Sequence, residues 1–145
     1  MQRTTAIVSG YFNPLHVGHV RMMQAAHSLA GRLVVIVNND EQQMLKKGRV
    51  IIGERDRMEV VAALRVADDV MLSIDSDGSV RRTLAEIRRM FPDDRLIFAN
   101  GGDRRDAGSI AEAEVCADLG IEIVFGVGGA DKADASSRII SEADL

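Results

Sequence analysis

The chain has 145 residues, 46% of them apolar and 28% charged, and a formal net charge of −4. That is enough sequence for one domain with a real core, and it lacks the clustered Lys and Arg that a duplex-binding surface needs. A single cysteine, Cys116, permits neither an intramolecular disulfide nor a Cys-built zinc site. "LVVIV" and "RLIFA" are too short to span a bilayer, and the nearly immediate strand-like run predicts that there is no secretory leader. These features predict a cytoplasmic protein with neither a nucleic-acid nor a membrane partner.

In chain order, "TTAIVSG" (Thr4–Gly10) reads as a first strand. "HVGHVRMMQAAHSLAG" has helical spacing, with Val20, Met23, Ala26, Leu29 and Ala30 on one face and Gly31 as terminator. "RLVVIVNND" carries a continuous apolar run, as expected of a strand covered on both faces. "GERDRMEVVAALRVA" is helical again, with Met58, Val61, Ala62 and Leu64 apolar. "DDVMLSI" is a short strand. "GSVRRTLAEIRRMF" is a helix with Ser79 as N-cap, ending before Pro92. "RLIFANGG" is a strand running into glycines. "SIAEAEVCADLG" is a helix capped by Ser109 and stopped by Gly120, with Cys116 a small buried residue rather than a nucleophile. "IEIVFGVGG" is the last strand and "ASSRIISEADL" the last helix. The alternation predicts an α/β chain: one Rossmann-like domain over residues 1–145, with a five-stranded parallel sheet and helices on both faces.

In such sheets, ligands bind beyond the carboxyl ends of the strands, at the switch point. The segments that fall there are "GYFNPLHVGH", "NNDEQQMLKKGR", "NGGDRRD" and "GVGGADKADASSR". Together they gather histidines, lysines, arginines, glycines and small hydroxyls, a mixture suited to a polyphosphate. No G-x-G-x-x-G follows the first strand and G-x-x-x-x-G-K-[ST] is absent. The ordinary dinucleotide and P-loop readings therefore lose ground.

The stretch G-Y-F-N-P-L-H-V-G-H resembles the H-x-G-H signature of the nucleotidyltransferase superfamily of cytidylyltransferases and small adenylyltransferases. "GRLVVIVNNDEQQMLKKGRVIIGERDRMEVVAAL" is similar in layout to glycerol-3-phosphate cytidylyltransferases and to adenylyltransferases acting on heptose 1-phosphate. "NGGDR" resembles the G-G-D segment of the heptose family, and "ASSRII" sits where both families carry a Ser/Thr-rich helix start. The resemblance implies in-line attack of an acceptor phosphate oxygen on the α-phosphorus of CTP or ATP, expelling pyrophosphate. Mg²⁺ would accompany the triphosphate. The acceptor implied is a phosphorylated sugar or polyol, heptose-like or glycerol-phosphate-like. A coenzyme-pathway adenylyltransferase acting on pantetheine phosphate or a nicotinate mononucleotide is the second reading. A nucleotide-binding regulatory domain without catalysis is the third. The family habit also implies a homodimer.

Residue by residue, the resemblance implies that His16 and His19 donate ring N–H groups to phosphate as charge grows on the bridging oxygen. Their spacing puts them on one face of a helix's first turn, whose unpaired N–H groups would add positive potential. A zinc site would need a third ligand, and His27 lies about two turns along the helix; it reads as an ordinary helix residue. A capping or surface pair is the plain alternative. Gly18 would leave room for the nucleotide, with the backbone of Tyr11 and Phe12 lining the same pocket. Lys46 falls on a family lysine that contacts acceptor or triphosphate, and Lys47 and Arg49 follow it; a solvated loop is the alternative. Arg55 and Arg57 open a helix, where a cation opposes the dipole. That points to a phosphate partner, Arg55 first. Gly101 and Gly102 would let the backbone approach base or ribose, Asp103 resembles the family aspartate that reads the nucleotide, and Arg104 would meet a phosphate. Ser136 and Ser137 would hold the β- and γ-phosphates. Val127, Gly128 and Gly129 stand where the cytidylyltransferases carry an arginine and a threonine, with Lys132 the nearest cation. Gly128 is assigned to the nucleotide side. Asn13-Pro14 replaces the commoner aspartate. No residue is assigned to a metal.

Overall fold

A strand that is apolar on both sides needs a cover on both. The run "LVVIV" sets that demand inside the sheet, where all five of its residues are buried. The structure, a computed structural model, describes residues 2–101 and 110–128. Its strands are β1 (Thr4–Gly10), β2 (Leu33–Val37), β3 (Asp69–Leu72), β4 (Arg95–Gly101) and β5 (Glu122–Val127). They pair in parallel in the order β3-β2-β1-β4-β5. The helices are α1 (Val17–Ala30), α2 (Asp40–Lys47), α3 (Glu54–Ala62), α4 (Arg81–Met90) and α5 (Ala113–Leu119).

Alternate strand residues point to opposite faces. Ala6, Val8, Leu33 and Val35 meet Met23 and Ala26 of α1 and Val61 of α3. Ile7, Val34 and Ile36 meet Leu84 and Ile87 of α4 and Cys116 of α5. Each fully buried Val, Leu or Ile side chain contributes about 1.5–3 kcal/mol relative to exposure, so both helical layers are needed. The predicted α/β architecture with covered faces is what the chain adopts. The strand order reverses between β1 and β4. The helices α1 and α5, which come after those two strands in the chain, pack on opposite faces of the sheet, the arrangement that opens a crevice at the strands' carboxyl ends. Among the described residues, no helix is long and apolar enough to cross a membrane.

Several local expectations are corrected. The polar segment after β2 is a helix, α2, not a loop. Its first turn is closed by a reciprocal box: Gln42 N–H donates to Asn39 Oδ1 at 2.9 Å, and Asn39 N–H donates to Gln42 Oε1 at 3.0 Å. Ser79 does not cap α4, whose N-cap is Val80. Asp75 serves instead, taking N–H bonds from Arg82 at 2.8 Å and Thr83 at 3.0 Å and the Thr83 hydroxyl at 2.6 Å. The N-cap of α5 is Glu112. The expected cap Ser109 lies outside the described residues, as does the last predicted helix. Leu29 faces solvent rather than the core, being 45% exposed, and Ala62 is exposed too. Gly31 and Gly120 do terminate α1 and α5, each left-handed. Cys116 is buried, and burial, with Glu112 nearby, pushes its thiol up to about 12; a thiol held protonated is no nucleophile.

Candidate active site

The site grows out of the end of β1, beside the switch point. Phe12 adopts a left-handed backbone, φ 51°, which is a costly choice for an aromatic residue. Its ring folds back over the strand end. A Cβ on Gly10 would lie 2.6 Å from that ring, so only glycine fits there. The ring then meets His19 edge-on, at 5.0 Å between centroids and 84° between planes.

His16 has an extended backbone and is the N-cap of α1, one residue before the helix, not within its first turn. Its Nδ1 accepts the Gly18 N–H at 3.0 Å. His19 Nδ1 accepts the His16 N–H at 3.1 Å. The reciprocal box usually made by Ser or Thr with Glu is made here by two imidazoles. A backbone N–H can only donate, so Nδ1 of each ring is the acceptor, and a neutral ring carries its proton on Nε2. The rings lie 3.9 Å apart, tilted by 32°. Burial, then the charges of His16 and Lys46, lower His19 from 6.5 to about 4. At neutral pH His19 is therefore an uncharged Nε2–H donor. One expectation changes: the Gly18 N–H is spent on pinning His16, and the His19 N–H bonds the His16 carbonyl at 3.0 Å. Those two N–H groups are not open to a ligand.

Lys46 sits in the last turn of α2, with its ammonium 4.3 Å from the centre of the Tyr11 ring. The other end of α2 is anchored to the segment after β3. Asn39 Nδ2 donates to the Ser73 and Asp75 carbonyls at 3.0 and 2.8 Å, and Gln42 Nε2 donates to those of Asp77 and Ser79, both at 2.8 Å. Buried Gln42 is thus held by hydrogen bonds rather than by apolar packing. Lys47 is exposed on the same last turn.

Arg57 corrects a further reading. It is only 1% exposed. Its Nε donates to the Ile52 carbonyl at 2.8 Å, and Nη1 to the carbonyls of Tyr11 at 2.7 Å and Asn38 at 2.6 Å. Nη2 reaches Asp40 Oδ1 at 2.6 Å. These internal acceptors, not a phosphate, answer its charge, and one of them is the Tyr11 carbonyl, a group expected from the sequence to line the pocket. Arg55 is exposed and lines an open hollow with Asp40, Gly53, Glu54 and Asp56. Asn13 Oδ1 accepts the Ile52 N–H at 2.7 Å, joining the loop after β1 to the start of α3.

Gly101 and Gly128 end β4 and follow β5 against Met22 of α1. A Cβ on Gly101 would meet Met22 Cγ and the Val127 carbonyl at 3.0 Å; one on Gly128 (φ 86°) would meet Met22 Cα at 3.2 Å. Both glycines serve close packing at the crevice wall. His27 is half-buried, with Nε2 3.3 Å from Asp68. The structure thus brings together Tyr11, Phe12, His16, His19 and Lys46, with Gly18 in the cap. Gly102, Asp103, Arg104, Lys132, Ser136 and Ser137 lie outside the described residues. Among those described, no three His, Cys, Asp or Glu side chains gather as a metal site. The described site offers two ring N–H donors and an ammonium, groups that can hydrogen-bond to anionic oxygens.

Residues 7–137 match the family described as cytidylyltransferase-like. The chain belongs to that family. This cytidylyltransferase-like chain is 38% identical to the FAD synthase of Pyrococcus abyssi over 104 residues, 71% of this chain and 66% of the relative. It is 33% identical to the bifunctional protein HldE of Koribacter versatilis over 111 residues, 75% of this chain and 21% of the relative. It therefore spans about two thirds of the one and about a fifth of the other. The crystal structure of a lipopolysaccharide core biosynthesis protein from Thermoplasma volcanium superposes with a TM-score of 0.65 at 24% identity, covering 84% of this chain and 94% of that one. At that identity the likeness speaks for the fold alone. Family and relatives together bear out the resemblance to nucleotidyltransferases.

Proposed function

We propose that this chain transfers a nucleotidyl group from a nucleoside triphosphate to a phosphate monoester and releases pyrophosphate. The observation that carries the reading is the histidine box at the switch point, with both Nδ1 atoms pinned and Nε2 left as the proton-bearing nitrogen. In this chemistry an acceptor phosphate oxygen bonds to the α-phosphorus as the bond to the α–β bridging oxygen breaks. No covalent nucleophile is needed, only alignment and donors aimed where charge develops. Preorganised Nε2–H groups supply such donors without reorganisation. Lys46, on its flexible stem, can follow the departing phosphates. The Mg²⁺ expected with the triphosphate arrives as part of that substrate, bound by phosphate oxygens and water.

Of CTP and ATP we favour ATP, because FAD carries an adenylyl group and one relative is named for making it. The same name supports a flavin mononucleotide as acceptor. A heptose-like or glycerol phosphate is the rival acceptor. The test is pyrophosphate release with MgATP or MgCTP against flavin mononucleotide, sugar 1-phosphates, glycerol 3-phosphate, pantetheine phosphate and nicotinate mononucleotide, with products identified by mass spectrometry. A product in which the nucleotidyl group is joined to one acceptor through a pyrophosphate bond supports the reading; triphosphate binding without turnover on any acceptor would overturn it in favour of the regulatory-domain alternative. A homodimer in the cytoplasm belongs to the same proposal, and sedimentation analysis of the purified chain tests the dimer.

A further inference from the structure

We propose that Arg57 is a positioning residue, which locks together the segments following β1 and β2 so that Lys46 is held beside the histidine pair. Its guanidinium is a junction. One nitrogen, Nη1, bridges the Tyr11 carbonyl after β1 and the Asn38 carbonyl after β2, at 2.7 and 2.6 Å. Nη2 holds Asp40, the first residue of α2, and Nε holds Ile52, whose N–H in turn bonds Asn13. Arginine suits this role because its donors form a rigid planar fork; a lysine at the same place is a single point charge.

Each bond bears on the site. Tyr11 presents the ring on which the Lys46 ammonium rests. The next residue, Phe12, is the left-handed one whose ring abuts His19. Asp40 fixes the first turn of the helix that carries Lys46 in its last. Both the lysine's platform and the lysine's helix are thus tied to one buried cation. For catalysis the inference rests on the nucleotidyl-transfer reading above; for geometry it does not.

The experiment reads the geometry first. The His19 ring is titrated by NMR in the full chain, in the wild type, Arg57→Lys, Lys46→Met and the double variant. Lys46 is one of the charges that depress His19. Lys46→Met should therefore move its titration upward from about pH 4, where the wild type is expected to titrate. Arg57→Lys should move it upward as well, and the double variant no further than the larger single shift, since both act through one contact. Turnover on whichever substrate pair is found should fall about 10- to 100-fold in kcat for each single variant, again without additivity. A folded Arg57→Lys protein whose His19 titrates as in the wild type would overturn the inference, as would fully additive effects. If Arg57→Lys gives no dispersed spectrum, Asp40→Ala replaces it. That change removes the carboxylate that accepts the Nη2 bond of the fork and should give a smaller shift of the same sign; no shift overturns the inference. The titration needs no substrate, so a failed activity screen and a failed positioning role are told apart.

Discussion

His16 has two duties, and a change to alanine confounds them. Its Nδ1 caps α1, and in the proposed reaction its Nε2–H donates to phosphate. Losing a helix cap costs about 1 kcal/mol. Asparagine at this position keeps an oxygen for the Gly18 N–H and gives up the ring donor. Both His16→Asn and His16→Ala should lower turnover by about two to four powers of ten, but only His16→Ala should also lower the urea midpoint. Near-normal turnover in His16→Asn would remove the histidine from the chemistry. His19 makes a different prediction, one about acid. Its charged form is disfavoured in the fold, with the titration lowered from 6.5 to about 4 by burial and by His16 and Lys46. Above pH 6.5 the ring is neutral whether the chain is folded or not, and nothing is lost. Between pH 6.5 and 4 the unfolded chain binds a proton that the folded one does not, so stability falls as pH falls through this window. In His19→Gln that contribution is absent. Urea midpoints measured at pH 7 and pH 4.5 should therefore drop further for the wild type than for the variant; equal drops would mean that the ring titrates normally in the fold.

At the scale of elements, what could be read from the chain and what could not have separate physical causes. Strands such as "LVVIV" announce themselves because burial on both faces leaves no room for polar residues. The site after β1 was visible because His16, Gly18 and His19 sit at a strand-to-helix junction. Helix α2 was not seen, since its buried residues are Gln42 and Gln43 rather than apolar ones. The usable signal was the Asn39-x-x-Gln42 box. Arg57 looks like a phosphate ligand in the sequence because three of its four acceptors are backbone carbonyls, two of them 46 and 19 residues away, and carbonyls leave no mark on composition. Gly10 shows the opposite case, in which a commonplace glycine is required by one contact. Gly10→Ala would drive a Cβ to 2.6 Å from the Phe12 ring. Overpacking of this kind typically costs about 1–3 kcal/mol, and it would push the ring towards His19. Thermal melting should show the loss, and turnover should fall with it. Adding Phe12→Leu should restore much of the stability without restoring turnover, because the ring that abuts His19 is gone. Recovery of both would mean that the aromatic wall plays no part in holding His19.

For the molecule as a whole, the consequence of placing the histidine box at the switch point is that ligand and fold are linked. The box joins the loop after β1 to α1, α1 packs on the sheet through Met23 and Ala26, and Met22 of the same helix meets the ends of β4 and β5. A triphosphate gripped there touches an element that contacts most of the sheet, so binding should resist global unfolding rather than only order a loop. A ligand at 100 times its dissociation constant stabilises by about 2.7 kcal/mol. For a chain of this size that corresponds to roughly 5–10 °C in Tm. MgATP should therefore raise the melting temperature by several degrees. Adenosine should shift it far less, because the groups gathered among the described residues, two ring N–H donors and an ammonium, suit phosphate oxygens. The variant carrying His16→Asn and His19→Gln keeps side-chain acceptors in the cap and should fold, yet lose most of the MgATP shift. Its own melting temperature is the control. Should adenosine shift the protein as far as MgATP, or should the double variant keep the full shift, the two imidazoles would not be the groups that hold the phosphates.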